Sequence, residues 1–267
     1  MIIRVLMENT ASDPACIAEH GLSLYIETKQ HRILFDAGQS DAFAGNAEKL
    51  GVDLSSVDLC VLSHGHYDHS GGLQRFLELN GHAPVYVHEK AFGAHHNATG
   101  KYIGIDQTLA HHPRIVRVGD RLELGDGMTL CTCNDRINGV PASARGMTVC
   151  SDGAFMQDDF LHEQYLILCE NGKRVVISGC SHKGILNIMD WLNPDVLIGG
   201  FHFMKLDPEG ADAAFLADAA QKLLAYPCTY YSGHCTGEAS FSFLKTHMGS
   251  RLHSLHTGSS MTLFEKE

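Results

Sequence analysis

The stretch VLSHGHYDHSGG, residues 61–72, places three histidines and an aspartate within six positions. These residues are His64, His66, Asp68 and His69. The preceding run, VDLCVL, is short and apolar with β-branched valines, which is typical of a buried strand. Two glycines follow the cluster, and the pattern of LQRFLEL then predicts a helix near 73–79. The cluster is therefore expected on a strand-to-helix loop at the edge of a sheet, where α/β proteins usually place their chemistry.

The four clustered side chains have the chemistry of metal ligands. Neutral imidazole is the commonest metal ligand in proteins, and a carboxylate suits a hard or borderline cation. On an extended loop, alternation points His64 and His66 toward one ion, while Asp68 and His69 face a second ion beside it. The alternative is a hydrogen-bonded histidine cluster on a surface loop. The spacing directly after a buried strand favours the metal site.

The composition is that of a globular protein and argues against several functional classes. The chain has 267 residues, of which 44% are hydrophobic and 19% charged, enough for one large domain or two small ones. A formal net charge of -11 argues against a nucleic-acid surface, which needs clustered lysine and arginine. No apolar run approaches the ~20 residues that span a bilayer, and the first residues, MIIRVLMENT, predict a strand and not a signal peptide. Nine scattered cysteines argue against a disulfide framework, and we expect a cytoplasmic protein.

Strands and helices alternate along the whole chain. Two β-rich halves are each followed by helices, which predicts two mixed sheets packed face to face with helices outside. We therefore expect one α/β domain of four layers over residues 1–267. Residues 89–114 show few periodic signals, and we interpret them as a lid or substrate loop. That loop contains His95, His96, His111 and His112, which we expect to be solvated, with His96 or His111 touching the substrate as an alternative.

The motif HGHYDH resembles the first metal motif of the metallo-β-lactamase superfamily, whose fold is an αββα sandwich. Further stretches resemble one branch of it: LFDAGQS, NAEKLGVDLSSVDLCVLSHGHYDHSGGL, HEQYLIL, SGCSHKGILNI, IGGFHF and GHCTG. That branch carries the name 7,8-dihydropterin-6-methyl-4-(β-D-ribofuranosyl)aminobenzene-5'-phosphate synthase, and many of its members are described only as metal-dependent hydrolases. The resemblance extends from about Ile3 to Leu263. It is specific for the superfamily and the branch, but not for a substrate.

The resemblance implies that further ligands follow later strands. His162 lies roughly where the superfamily supplies the third histidine of the first ion; the alternative is a histidine bonded to Asp158 or Asp159. SGCSH departs from the superfamily pattern, because Cys180 stands where an aspartate commonly bridges both ions and His182 follows two residues later. Thiolate is a good zinc ligand, and a helix N-terminus would lower the pKa of a cysteine. Either residue could replace the aspartate, with His182 slightly favoured, or neither, in which case Cys180 is a packed thiol.

Two histidines compete for the last metal position. His202 follows the strand DVLIGG, and His234 follows the strand TYYSG. The strand order of phosphodiesterase-like members of the superfamily favours His234 as the ligand, with His202 facing the substrate as an acid or phosphate contact. Each could instead be a capping or packing histidine at a strand end.

Asp36, in LFDAG, is a candidate partner for a metal-bound histidine. Such a histidine nearly always donates its other N–H to a carboxylate or carbonyl, which fixes the tautomer and the orientation of the ring. The alternative for Asp36 is an ordinary turn aspartate before glycine.

These residues predict a metal-dependent hydrolase that acts on an ester, amide or phosphoester of a small molecule. One or two divalent ions would lower the pKa of bound water toward about 7, and Asp68 would bind the second ion and orient the nucleophile. Zinc is favoured, with manganese and iron as alternatives. Two other functions stay open: a condensing enzyme like the synthase of the branch, and a non-catalytic metal-binding or sensor protein. An iron oxygen-reducing protein is disfavoured by His66 and by the lack of a second domain, and a nuclease by the acidic charge.

Overall fold

The computed structural model describes residues 1–137 and 139–264 and contains two seven-stranded sheets and a three-stranded sheet. The first large sheet has the spatial order β17-β1-β2-β3-β4-β5-β7. Its strands are β1 (Ile2–Met7), β2 (Ser23–Glu27), β3 (Arg32–Phe35), β4 (Leu59–Val61), β5 (Val85–His88), β7 (Ile115–Val118) and β17 (Ser260–Thr262). The three-stranded sheet has the order β11-β10-β6 and consists of β6 (Ala94–His96), β10 (Thr148–Ser151) and β11 (Ala154–Gln157).

The second large sheet has the order β16-β15-β14-β13-β12-β9-β8. Its strands are β8 (Arg121–Gly125), β9 (Met128–Cys131), β12 (Tyr165–Glu170), β13 (Lys173–Ile177), β14 (Val196–Ile198), β15 (Thr229–Ser232) and β16 (Leu252–Ser254). The α-helices are α1 (Ala42–Lys49), α2 (Tyr67–Ser70), α3 (Leu73–Leu79), α4 (Ile185–Leu192), α5 (Ala213–Leu224) and α6 (Glu238–Met248). Among the helices in the described ranges, none is both long enough and apolar enough to cross a membrane.

The two large sheets bury a shared apolar core between them. Strand β3 shows how the sequence produces this, because its residues after Arg32 are apolar and buried on both faces of the sheet. Ile33 and Phe35 point into the core between the sheets, whereas Leu34 points to the opposite side. A strand covered on both faces has a continuous apolar run instead of an alternating one.

Helices cover the outer face of each large sheet. On the first sheet, Phe43 of α1 and Phe76 of α3 pack in one cluster with Leu34. On the second sheet, α4, α5 and α6 pack in another cluster, to which α5 contributes Leu216 and Leu223. The layers are therefore helix, sheet, sheet and helix, and the predicted αββα sandwich is confirmed.

This arrangement brings the predicted site residues to one edge of the sandwich. Strands β3, β4 and β5 are parallel neighbours, and so are β13, β14 and β15. The candidate residues follow the carboxyl ends of these strands. Asp36 follows β3, the HGHYDH motif follows β4, Cys180 follows β13, His202 follows β14 and His234 follows β15. Since parallel strands end at the same edge, residues far apart in the chain meet there.

Two local predictions were wrong. Asp68 and His69 lie on the one-turn helix α2 and not on an extended loop. Residues 89–114 are not structureless, because they contain β6 and a 3-10 helix over Gln107–His111. Strand β6 pairs with β10, more than fifty residues away. A strand of three residues is too short for a local sequence pattern to predict it. The role of this segment as a lid stays a prediction.

The predicted exposure of His95, in that segment, was also wrong. We expected a solvated loop histidine, but its side chain is buried and 2% exposed. Pairing of β6 with β10 places His95 opposite Val149 and turns its ring into the interior.

Gly65, between the first two histidines of the motif, cannot accept a side chain. A Cβ atom there would lie 2.1 Å from the carbonyl oxygen of Ala91, a backbone atom. We expect Gly65→Ala to lower the free energy of unfolding by about 1–3 kcal/mol, as overpacking does. Urea unfolding of the metal-free protein measures this.

The matched control is Gly45→Ala in α1. Gly45 is exposed, and a Cβ atom there would have nothing within 4 Å. Alanine should raise the free energy of unfolding by about 0.5–1 kcal/mol, because glycine is the weaker helix former. Equal stability of Gly65→Ala and the wild type would show that the loop after β4 can shift.

Candidate metal centre

The structure gathers the predicted ligands into three buried clusters, in each of which the ligand atoms lie within 4.8 Å of one another. Cluster A consists of His64, His66 and His182. Cluster B consists of Asp68, His69, Cys180 and His234. Cluster C consists of His66, His95, Asp158 and His162. All eight predicted metal residues therefore lie in these clusters, which also contain His95 and Asp158.

Cluster B has the spacing of ligands around one ion. His69 Nε2 lies 3.1 Å from Cys180 Sγ and 3.2 Å from His234 Nε2. Asp68 Oδ2 lies 3.3 Å from His234 Nε2. Ligands bound tetrahedrally at about 2.0–2.3 Å, the range of zinc bonds to nitrogen and sulfur, lie about 3.3–3.7 Å apart. The donor set of two imidazoles, one carboxylate and one thiol fits a divalent ion.

Cluster A consists of imidazoles alone. His64 Nε2 lies 3.2 Å from His182 Nε2, and the ring centroid of His66 lies 4.9 Å from that of His182. His182 stacks on Phe160 at 4.5 Å and 5°, which fixes the plane of its ring. Within the described residues, the buried Nε2 of His66 has no hydrogen-bond partner. Leaving a buried nitrogen unpaired costs free energy, and a bound cation at cluster A would remove that cost.

Asp36 sets the tautomer of two ligands. Its carboxylate accepts hydrogen bonds from His69 Nδ1 at 2.6 Å and from the Ser63 hydroxyl at 2.7 Å. Since the Ser63 hydroxyl donates to Asp36, it accepts from His64 Nδ1 at 2.8 Å. Both imidazoles thus carry their proton on Nδ1 and keep the lone pair of Nε2 for an ion, the arrangement expected around metal-bound histidine.

A second pair of residues does the same for His234. Its Nδ1 donates to Asn9 Oδ1 at 2.9 Å, and the buried carboxylate of Glu8 accepts the backbone N–H of His234. Burial raises the pKa of Glu8. No local sequence signal marks Glu8 and Asn9, because they follow β1, more than two hundred residues before His234.

Four residues at the strand ends share an unusual backbone conformation. Asp36, Ser181, His202 and His234 all have positive φ angles, between 46° and 60°. Non-glycine residues rarely adopt this left-handed conformation, and strained positions of this kind cluster at functional sites. Here the chain turns within about four residues of the ends of β3, β13, β14 and β15.

Burial keeps the imidazoles of cluster A neutral. It lowers the pKa of His64, His66 and His182 well below the usual range, and it lowers the pKa of His234 to about 4. At neutral pH these rings are uncharged and can bind a cation. For His69, burial opposes protonation, but the Asp36 and Asp68 carboxylates outweigh it and raise the pKa.

Asp68 and Cys180 respond to burial in different ways. Burial favours the neutral form of Asp68, but the imidazoles of His69, His20 and His234 hold its pKa well below the usual range. Burial raises the pKa of the Cys180 thiol well above its usual range. The expectation of a thiol activated by a helix N-terminus is wrong, since α4 begins only at Ile185. A cation is the agent that would hold Cys180 as a thiolate.

His162 and His202 lie beside histidines of cluster A. His162 Nδ1 accepts the backbone N–H of Gly65 at 2.9 Å, and its Nε2 lies 3.4 Å from Asp158 Oδ2. Asp158, one of the two alternative partners predicted for His162, therefore lies beside its ring. His202 belongs to none of the three clusters, but its ring centroid lies 4.3 Å from that of His182.

Two further residues were missed. His20 Nε2 lies 3.3 Å from Asp68 Oδ2, and its side chain is 37% exposed, so it stands at the rim of cluster B. It precedes β2 in a stretch without a periodic pattern, which carried no signal. Glu163 accepts the backbone N–H groups of His182 and Lys183 at 2.8 and 2.9 Å and holds the turn after β13. Its place next to His162 at the start of a strand was a usable signal.

Comparison with known proteins places this geometry in a family. A sequence profile described as the metallo-beta-lactamase superfamily matches residues 17–131. A crystal structure of a metal-dependent hydrolase of the beta-lactamase superfamily is 29% identical and superposes with a TM-score of 0.83 over 99% of this chain and 100% of the other. The chain belongs to the metallo-β-lactamase superfamily.

Two proteins of Methanocaldococcus jannaschii are similar to this metallo-β-lactamase superfamily member over most of its length. An uncharacterized protein is 30% identical over 248 residues, covering 88% of this chain and 91% of the other. The 7,8-dihydropterin-6-methyl-4-(beta-D-ribofuranosyl)-aminobenzene-5'-phosphate synthase is 28% identical over 266 residues, covering 90% and 89%. The resemblance to the superfamily and to this branch is thereby confirmed.

Cobalt binding distinguishes clusters A and B. Cys180→Ala should abolish the sulfur-to-cobalt charge-transfer absorption of the Co²⁺-loaded protein, because it removes the only thiol of cluster B. His182→Ala should keep that absorption, while each variant loses about one ion per chain, since each removes a ligand from a different cluster. Visible spectra and elemental analysis measure both effects.

Cys235→Ala is the control. Cys235 is buried and donates its thiol to the carbonyl oxygen of Cys180 at 3.3 Å, yet it belongs to no cluster. Its spectrum should match that of the wild type. Charge-transfer absorption that survives in Cys180→Ala would exclude Cys180 as a ligand.

Proposed function

We propose that this protein is a dinuclear metal-dependent hydrolase that acts on an ester, amide or phosphoester of a small molecule. The observation that carries the proposal is that clusters A and B are adjacent, since the HGHYDH motif contributes ligands to both. The ring centroids of His64, in cluster A, and His69, in cluster B, lie 4.2 Å apart. The superfamily of metal-dependent hydrolases to which the chain belongs supports the same reaction class.

The bound ions would supply a water of lowered pKa and a Lewis acid for the substrate oxygen. Asp68 is ionised, because imidazoles hold its pKa well below the usual range, and it would lie beside that water as a member of cluster B. It would accept the hydrogen bond of the attacking water and direct the lone pair toward the substrate. Because a carboxylate with so low a pKa is a weak base, the proton of that water would pass to bulk solvent and not to Asp68.

His202 would contact the substrate. Its ring lies against His182, and burial lowers its pKa to about 4. At neutral pH His202 is therefore uncharged, and it would act as a hydrogen-bond donor to a developing negative oxygen and not as a reservoir of protons. The partly exposed His20, beside Asp68, would line the substrate site on the side that faces solvent.

A condensation like that of the pterin-related synthase is the second candidate. The 28% identical synthase aligns over about nine-tenths of both chains, so the similarity is not confined to the metal motif. Its name implies a phosphorylated ribofuranosyl-aminobenzene product, and we would expect the same metal clusters to bind the phosphate-bearing substrate.

We also propose a cellular compartment for the enzyme. All nine cysteines, each within the described residues, are free thiols, which fits a reducing compartment such as the cytoplasm. We propose a small-molecule substrate that reaches clusters A and B beside residues 89–114.

Loss of the Asp68 charge should stop hydrolysis. We expect the metal-loaded wild type to cleave bis(4-nitrophenyl) phosphate or 4-nitrophenyl acetate, and a chelator to abolish the activity. Asp68→Asn should lower kcat about 100-fold or more, because the change removes a charged ligand of cluster B and misplaces the nucleophile. Release of nitrophenol in steady-state assays measures this.

Glu48→Gln is the control, because Glu48 is an exposed carboxylate of α1 and its loss should leave kcat unchanged. Tight metal binding without turnover of these esters or of a β-lactam amide would contradict the hydrolase. Formation of a condensation product from a dihydropterin and a phosphorylated ribofuranosyl-aminobenzene would then support the synthase, and its absence a metal sensor.

A further inference from the structure

Cluster C is a buried series of polar contacts behind the metal loop, in which Nε2 of His162 has no hydrogen-bond partner within the described residues. It starts at the backbone N–H of Gly65, which donates to His162 Nδ1 at 2.9 Å. His162 Nε2 faces Asp158 Oδ2 at 3.4 Å, and the same oxygen accepts a hydrogen bond from His95 Nδ1 at 2.6 Å. This series therefore links the loop between two predicted ligands to strand β6.

The tautomer of His162 differs from that of the predicted ligands. His64, His69 and His234 donate from Nδ1 and keep the lone pair of Nε2. His162 uses the lone pair of Nδ1 to accept the Gly65 N–H. A neutral imidazole has one proton, so in His162 that proton lies on Nε2. A protonated nitrogen cannot bind an ion, but it suits the neighbouring carboxylate of Asp158.

Gly65 is held from two sides. The Ala91 carbonyl lies so close that a Cβ atom on Gly65 would be 2.1 Å away, and the His162 ring accepts the N–H. Because Gly65 lies between His64 and His66, the orientation of its peptide group determines where both side chains point.

The carboxylate of Asp158, which faces His162, is held in place by a further hydrogen bond and by burial. Its second oxygen, Oδ1, accepts the backbone N–H of Phe160 at 2.8 Å, and its side chain is only 2% exposed. Phe160 is the ring on which His182 stacks, so the same segment positions a ligand of cluster A from the other side.

We propose that His162 is a positioning residue and not a metal ligand: its Nδ1 holds the Gly65 peptide, which leaves the ring proton on Nε2, beside Asp158. The third imidazole of the first ion is then His182. This inference rests on the proposed function only in requiring that cluster A binds an ion. It departs from the superfamily pattern, in which a histidine at the place of His162 completes the first site.

Glutamine variants test this, because a glutamine can accept a hydrogen bond through Oε1 and donate one through Nε2. His162→Gln should retain the wild-type number of Co²⁺ ions per chain, the visible spectrum and the dissociation constants. His162→Ala should retain the number of ions at saturation but bind the cluster A ion about 10–100-fold more weakly, as for losses outside the ligand set. His182→Gln, the matched control, should lose about one ion per chain, because it removes a ligand.

Three results would overturn the proposal. Loss of an ion in His162→Gln, to the same extent as in His182→Gln, would make His162 a ligand. Unchanged cobalt affinity in His162→Ala would show that the Gly65 contact positions nothing. A third ion in the wild type that His95→Ala and His162→Gln both lose would place a cation inside cluster C. Every readout is metal binding, so a protein that binds ions as expected but hydrolyses nothing would contradict the proposed function and leave this inference standing.

Discussion

The buried carboxylate of Asp36 is the constraint on which both predicted ion sites depend. It accepts hydrogen bonds from the backbone N–H and the hydroxyl of Ser63 and from Nδ1 of His69. Through Ser63 it also sets the tautomer of His64. A carboxylate without solvent exposure would cost several kcal/mol if it were left unpaired, so these hydrogen bonds stabilise the loop and prepare one ligand in each of clusters A and B.

The αββα sandwich explains how so many long-range partners reach this loop. Parallel strands of both sheets end at one edge, and Asp36, Ser181, His202 and His234 turn the chain there in left-handed conformations. The apolar core between the sheets and the helix layers outside support those turns. The strain at the strand ends is local, whereas the packing that tolerates it extends over the whole sandwich.

Clusters A and B differ in chemistry, which has a consequence for metal choice. Cluster A offers three neutral imidazoles, and cluster B offers two imidazoles, the ionised Asp68 and the thiol of Cys180. Thiolate favours zinc, whereas imidazole also serves iron and manganese. Where the superfamily commonly has a bridging aspartate, Cys180 belongs to cluster B and His182 to cluster A. One short turn, held by the carboxylate of Glu163, thus serves both sites.

Local pattern was sufficient for the metal motif, for the helix near 73–79 and for the class of fold. Histidine spacing after an apolar strand, and apolar runs separated by glycine, are readable within a dozen residues. Local pattern did not predict the burial of His95, because strand β6 exists only through pairing with β10. It also gave no sign of Glu8 and Asn9, which contact His234 from the other end of the chain.

The sequence by itself determined which residue types are available to bind metal, the αββα class of fold and the superfamily. Only the tertiary structure decided how those residues are divided. It placed His182 with His64 and His66, placed Cys180 with Asp68 and His69, and set His162 against Gly65 and Asp158. The physical reason is that an imidazole binds an ion through whichever nitrogen lacks a proton, and that choice depends on hydrogen bonds to partners that can lie anywhere in the chain.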